Sequence, residues 1–199
     1  CRRRSARRFS KLSSAAVLRM HCLGLVASAY CGSFKDLFEF FQKSLWAFQY
    51  GSADELLQMV EHVVIELKEM GFLAERKTGG VVPTPLGKLV SELYVDPLSA
   101  NAFVEFIKST GEKSTLDYLL ALLCATEMMP VPSVKRNEEQ ALFEQANGTR
   151  LCLFIEKKFD EYNFLQKFKA AHLFGAWIEE ETEAAMLEKF DVPPGLLAS

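Results

Sequence analysis

The sequence predicts a mainly α-helical protein: a winged helix, meaning three helices and a β-hairpin, followed by an all-helical bundle. Apolar residues recur at the three-and-four spacing of one helical stripe through most of the 199 residues. One stretch, residues 72–83, breaks that period with a glycine turn between two short β-suited segments. Twice, at Thr84-Pro85 and Asp96-Pro97, a capping residue precedes a proline, the arrangement that opens a helix.

Taken in order, Ser13 or Ser14 caps a helix predicted over Ala15 to Tyr30, with Val17, Leu18, Cys22, Leu25, Val26 and Ala29 on its apolar face and Gly32 as its stop. Ser33 caps the second, where Asp36 suits the positive end of the helix dipole. Leu37, Phe38, Phe40, Phe41, Leu45, Trp46 and Phe48 make this helix too aromatic for a surface position. Ser52 and Glu55 form a capping box for a third helix running to Met70, with Leu56, Leu57, Val60, Val63, Val64 and Leu67 inward and Gly71 as stop. Phe72 to Arg76 and Val81 to Pro83 then flank the turn Lys77 to Gly80, a small wing carrying Arg76 and Lys77. Helices are expected over Leu86 to Tyr94, Pro97 to Ser109, about Ser114 to Met128, Val134 to Asn147 and Thr149 to Asp160, with a proline-marked linker at Met128 to Ser133.

The stretch from Phe164 to Pro194 organises the second half. Phe164, Phe168, Ala171, Phe174 and Ile178 fall on one stripe, and Trp177 stands beside it, facing either a core or a groove. An acidic turn and Pro193-Pro194-Gly195 follow and open a final element that the chain end cuts short. The predicted division is a basic arm or junction at 1–11, a winged helix at 12–96 and a helical domain at 97–199.

With 49% hydrophobic and 25% charged residues, the composition is that of an ordinary globular protein. No apolar run approaches the ~20 residues of a membrane span; the longest, Val17 to Tyr30, is broken by Arg19 and His21. No secretory signal is expected behind the basic start. Five cysteines, Cys1, Cys22, Cys31, Cys124 and Cys152, make an odd number without a CxxC pair, which points to a reducing cytoplasm, no disulfide and no metal. The net charge of −3 conceals a division: Arg2, Arg3, Arg4, Arg7, Arg8 and Lys11 give residues 1–11 a charge of +6, leaving −9 for the rest. A stand-alone nucleic-acid binder has the opposite body charge, so any strand contact here must be local and assisted. The basic start is a junction with upstream sequence, a disordered arm or a cloning remnant.

Enzyme chemistry finds little support. Thr110 to Thr115 looks like the end of a phosphate loop but lacks the adjacent Gly-Lys and follows a helix, so it reads as a helix–helix loop with Ser114 as the next cap. His21, His62 and His172 lie on three different helices, without metal-ligand or triad spacing. Glu179, Glu180, Glu181 and Glu183 read as a solvated face. The third helix offers Glu55, Glu61, Glu66 and Glu69 against Lys68, which suits no major groove and points to a structural or protein-contacting role. The Trp177 helix is better equipped. Lys157, Lys158, Lys167 and Lys169 cluster in and before it, and Gln166, Ala170 and Trp177 fall near one line. Lysines neutralise phosphates and an indole stacks a base for about 1–3 kcal/mol, the minimum for holding a single strand.

These residues resemble a known family. Thr84 to Pro97 (TPLGKLVSELYVDP) and Ser10 to Arg19 (SKLSSAAVLR) are similar to the winged-helix domain of Ski2-like superfamily 2 DNA helicases, especially the archaeal repair helicases related to animal HELQ. Phe168 to Glu180 (FKAAHLFGAWIEE) and Glu188 to Gly195 (EKFDVPPG) resemble the family's ratchet helix and the element after it. The resemblance spans residues 10–199. It implies an ATP-dependent 3′–5′ helicase in which a winged helix and a ratchet domain accompany two RecA-like motor domains; ATP and Mg belong to those motors. This sequence carries no Walker loop, acidic metal-binding box or arginine-finger motif, so on its own it is expected neither to hydrolyse ATP nor to unwind DNA. The family's strand-stacking aromatic maps onto Trp177. Some relatives place an arginine where this chain has Ala170, which either leaves the grip to Lys169 or Lys167 or makes it weaker. The implied partners are single-stranded or forked DNA, the motor domains of the same protein and replication-fork proteins; the implied location is cytoplasmic in an archaeon and nuclear in a eukaryote. The competing reading is a winged-helix interaction scaffold or transcription regulator that holds no strand.

Overall fold

Capping residues start the helices of the first half, and buried aliphatic stripes hold them together. The computed structural model describes residues 15–44, 52–77, 79–128, 131–157 and 163–197, in two units, Cys1–Ala100 and Asn101–Ser199. The expected caps at Ser13 or Ser14, the apolar residues Leu45, Trp46 and Phe48, Lys158 and the basic residues 1–11 lie outside the described residues.

In the first unit, α1 (Ala15–Ala27) buries Leu18, Cys22, Leu23 and Val26. It stops three residues short of the expected Tyr30, and Ala29 turns into the left-handed region at φ 59°. Burial pushes the Cys22 thiol up to about 12, helped by neighbouring Cys31, so it packs as a small hydrophobe. Helix α2 (Phe34–Gln42) begins where Ser33 Oγ accepts from Asp36 N–H (3.2 Å) and Asp36 Oδ2 accepts from Gly32 N–H (3.0 Å). It is not wholly inside: Leu37 and Phe41 are buried while Phe40 is exposed and rests edge-on against Tyr30 and Phe41. Its described residues include a charged outer face of Lys35, Asp36 and Glu39, which the aromatic count concealed.

Helix α3 (Ala53–Glu69) is capped by Ser52 and buries Leu56, Val60, Val63, Val64 and Leu67 against α1 and α2. Strands β1 (Leu73–Glu75) and β2 (Val81–Pro83) pair antiparallel in the register Leu73 to Pro83, Ala74 to Val82 and Glu75 to Val81. Three helices followed by this hairpin make the winged-helix plan. The wing is pinned at its root: Val81 N–H donates to Gly32 O (2.9 Å), and a Cβ on Gly80 would lie 2.4 Å from that same oxygen. Helix α4 (Pro85–Leu93) is capped by Thr84, whose hydroxyl accepts from Gly87 N–H (3.0 Å) and donates to Gly71 O (2.7 Å). Gly87 is obligatory here, since a Cβ would meet Phe72 O at 2.0 Å.

A buried charge pair closes the unit. Arg19 donates from Nε and Nη2 to the two carboxylate oxygens of Asp96 at 3.2 and 3.1 Å, and Asp96 Oδ1 also accepts from Leu98 N–H (3.2 Å). Asp96 thus caps α5 (Pro97–Lys108) while tying α1 to its start. The division between units falls within α5, with Ala100 packed on the first core and Phe103 and Phe106 belonging to the second.

The second unit continues with α6 (Thr115–Leu122), a 3-10 turn at Thr126–Met128, α7 (Arg136–Gly148), α8 (Leu153–Glu156), α9 (Phe164–Ile178), α10 (Glu183–Phe190) and α11 (Pro194–Leu197). Two expectations shorten. The helix expected to Met128 ends at Leu122, and the one expected from Thr149 starts at Leu153. Asp117 explains the second. Buried at 2% exposure, it accepts from Cys152 N–H (2.8 Å) and from Ser114 N–H (2.8 Å), holding residues 149–152 extended against α6. Burial pushes its carboxyl up, but these hydrogen bonds outweigh it and hold the group below the usual carboxylate range. Helix α10 fills what reads in sequence as an acidic turn, with Thr182 as its cap and Glu181 paired to Lys189 (2.7 Å).

Candidate nucleic-acid interface

Helix α9 is the centre of the second unit, packed against α6, α7 and α10. It opens at Asn163, held in the left-handed region at φ 78°, and buries Phe164, Phe168, Lys169, Ala170, Ala171, Leu173 and Ala176. Phe164 and Phe168 stack at a tilt, 6.1 Å between centroids, and Phe168 meets His172 edge-on at 4.6 Å. The expected stripe is therefore inside only as far as Ala171. Phe174 and Ile178 are exposed, and the buried face turns instead through Leu173 and Ala176 onto Met186 of α10.

Trp177 is 67% exposed. Of the two orientations open in sequence, it takes the outward one. Gln166 and Lys167 are half-buried on the first turn of α9. Two residues expected on a cationic edge are elsewhere. Ala170 is buried in the second core, because the first half of α9 is enclosed by neighbouring helices. Lys169 is 2% exposed and its ammonium donates to Glu138 Oε1 (2.7 Å) and Ser133 O (3.2 Å). Glu138 Oε1 also accepts from Lys135 N–H (2.6 Å), so Lys169 braces the start of α7 and cannot reach a phosphate. Lys157 is exposed at the end of α8. The helix stops at Glu179, and Glu180 adopts φ 60° with its N–H donating to Trp177 O (3.1 Å).

The other places singled out in sequence resolve as follows. Ser114 caps α6, and the loop Thr110–Ser114 lines a cleft of about 530 Å³ together with Arg150 and Glu156. His21 and His62 are exposed, and His62 lies 3.3 Å from Glu66. His172 faces a cleft of about 380 Å³ between α7, α9 and α10, its Nε2 buried without a hydrogen-bond partner. Burial and then Lys189 hold its imidazole below the ordinary 6.5. No three acidic, histidine or cysteine side chains converge on a metal-sized site among the described residues. On α3, Glu55, Glu61 and Glu69 are exposed, whereas Glu66 turns partly inward to Arg19 (3.8 Å) and Lys68 pairs with Glu75 (2.7 Å). Sequence reasoning placed Asp96 as a helix cap but missed its buried pairing with Arg19, and it missed the burial of Asp117. Charged residues on predicted apolar faces, and an aspartate three after a serine cap, are the signals that point to them.

Residues 117–199 match the family described as Archaeal helicase, domain 4. The chain is 33% identical over 189 residues to the ATP-dependent DNA helicase Hel308 of Methanocaldococcus jannaschii, covering 95% of this chain and 15% of that protein. It is 31% identical to the Hel308 of Methanococcus vannielii, over 95% of this chain and 30% of that protein. Against the Hel308 of Pyrobaculum calidifontis it is 35% identical, over 89% of this chain and 24% of the relative. The chain thus spans under a third of the length of each of these relatives. A winged-helix unit followed by a helical unit with these matches defines the class as a helicase accessory region. Within that class the chain belongs with the Hel308-type helicases, as a segment that includes their domain 4.

Proposed function

We propose that this segment guides and ratchets the translocating single strand of an ATP-dependent 3′–5′ DNA repair helicase and braces its motor domains. ATP and its Mg ion belong to the motors of the parent protein, and single-stranded or forked DNA is the ligand. The observation that carries the reading is Trp177, a large indole left 67% in solvent on a helix whose first two phenylalanines, Phe164 and Phe168, are packed and whose third, Phe174, is 36% exposed. Burial is the ordinary fate of such a side chain, and an exposed one on a rigid helix is a stacking platform. Gln166 and Lys167 lie on the first turn of the same helix and are assigned to the strand's approach. Lys169 and Ala170 are assigned to packing.

The test uses the chain with Trp46→Phe, so that Trp177 is the sole tryptophan and is excited apart from the tyrosines. Titration with oligo-dT is expected to quench it, and Trp177→Ala is expected to weaken oligo-dT binding by about 5- to 150-fold, the equivalent of one stacked base. Unquenched fluorescence at low salt, with affinity unchanged in Trp177→Ala, sinks the reading. For the first unit, the exposed Glu55, Glu61 and Glu69 of α3 favour a protein contact over a DNA groove.

A further inference from the structure

Helix α10 is held lightly. It has eight residues, too few to stand as a helix without help from packing. Both of its flanks turn through left-handed, non-glycine residues, Glu180 at φ 60° and Asp191 at φ 45°. Its apolar anchor is small: Met186, with half-buried Phe190, against Leu173 and Ala176 of α9. Ion pairs fasten its ends, Lys189 to Glu181 (2.7 Å) and Asp191 to Lys135, and Lys189, Asp191 and Lys135 are each about half in solvent. Ion pairs so exposed hold weakly.

The cleft of about 380 Å³ between α7, α9 and α10 is lined by His172, whose Nε2 is buried without a hydrogen-bond partner. The charged groups lining it are Lys169 and Glu179 on and just after α9, Glu138 of α7, Glu181 before α10 and Lys189 on α10. Helix α6, which also packs on α9, contributes none. Glu138 is committed to Lys169, and Glu181 to Lys189. Glu179 is exposed and lies about 10 Å further along the axis of α9. A proton on His172 therefore adds positive charge near Lys189 in a desolvated place where the lining carboxylates are paired or distant. With α10 lifted, water reaches the imidazole and Lys189 moves away, so the same proton binds without that penalty.

We propose that α10 is a proton-released strap: protonation of His172 detaches it from α9 while the helices of the second core stay folded. Detachment uncovers Leu173 and Ala176, an apolar flank of α9 that the closed form hides. A proton that prefers the open form favours that form in return. Each pH unit below 6.5 therefore raises the open population, by at most about tenfold, until the imidazole of the closed form titrates too.

Amide hydrogen exchange of the whole chain at about pH 7.5 and 5.5, corrected for the intrinsic pH dependence of exchange, reads this opening directly. Carboxylates stay ionised over that range, and His21 and His62 are exposed residues of the first unit. Protection over residues 183–190 is expected to fall by about two- to tenfold at the lower pH, while that over residues 164–171 holds. In His172→Gln, which stays polar but cannot take the charge, the fall is expected to vanish. In Lys189→Met, which keeps the imidazole and removes the nearby cation, it is expected to shrink. A fall below about twofold in the native chain overturns the proposal. An equal fall over 164–171 overturns it too, because the unit then opens as a whole. So does a fall in His172→Gln as large as in the native chain. Should His172→Gln leave residues 183–190 unprotected at both pH values, Lys189→Met decides: an undiminished fall there overturns the proposal, and a diminished one upholds it.

Discussion

Between Phe164 and Leu173, α9 buries two phenylalanines, two alanines, a leucine and even a lysine; between Phe174 and Ile178 it leaves Phe174, Trp177 and Ile178 in solvent. The exposed half is the more apolar in sequence, since Gln166, Lys167, Lys169 and His172 all fall in the first half. The halves differ in what lies alongside. The first half is enclosed by neighbours that supply Phe106, Leu120, Ala146 and Ile155, whereas the second has only Met186 and Phe190 of α10 against one flank. A helix face becomes core only where another element reaches it, so apolar spacing locates the stripe without saying how far along the axis the cover extends. The uncovered end is the candidate for function, and the covered end holds it still.

The largest expected effect tests the covered half. Lys169→Ala removes the cation from a pair whose lysine is 2% exposed and leaves Glu138 Oε1 with the Lys135 N–H but no cation. The expected loss is about 2–4 kcal/mol of unfolding free energy, below the full cost of breaking a closed pair because the Glu138 side chain keeps 22% of its exposure. Urea denaturation at constant m-value measures it. A loss under about 0.5 kcal/mol would place Lys169 among surface residues and restore it to the cationic edge. Lys169→Met with Glu138→Gln is expected to recover part of the loss, since no charge is then left unpaired.

The boundary between the halves is marked by His172, one turn before Ala176. Its imidazole is held below 6.5 by burial first and Lys189 second, and Glu138, Lys169, Glu179 and Glu181 line the same cleft. The unfolded chain therefore binds more protons than the folded one between the lowered value and 6.5. Stability is complete above about pH 6.5 and declines as the pH falls through that window. Asp36, Asp117 and Asp191, whose carboxyls are held below 3.8, lose their contribution only at still lower pH. Thermal unfolding of native chain and His172→Leu across pH 7 to 5 should show a steeper decline for the native chain. Parallel curves would mean that His172 is as solvated as a free histidine.

The contrast also explains what sequence made legible. Caps and glycines act within three or four residues, so Ser33, Ser52, Thr84, Ser114 and the wing turn could be placed from local chemistry. Trp177 was legible as a candidate and its outward orientation was not, because that depends on α10 packing on the Leu173 and Ala176 flank rather than on its own neighbours in sequence. Lys169 misled for the same reason. Its partner Glu138 is 31 residues away, and nothing in the spacing of lysines along α9 reveals an acid arriving from α7. The start of α8 followed a long-range bond as well, from Cys152 to Asp117, 35 residues apart.

The smallest expected effect tests the uncovered half. Phe168 and Trp177 are aromatic residues nine positions apart on one helix, with exposures of 0% and 67%. Stability scales with the apolar area removed from water, and an indole that keeps two-thirds of its surface in solvent has removed little. Trp177→Ala should therefore change unfolding free energy by no more than about 0.5 kcal/mol, although it deletes one of the largest side chains in the protein. Denaturant unfolding of the same preparation used for the oligo-dT titration measures it. A loss above about 2 kcal/mol would mean that the indole packs in solution and that weakened binding reports unfolding. A negligible loss together with weakened oligo-dT binding separates the two jobs of α9: its first half carries the fold, and its last turn, free of that task, is available to a strand.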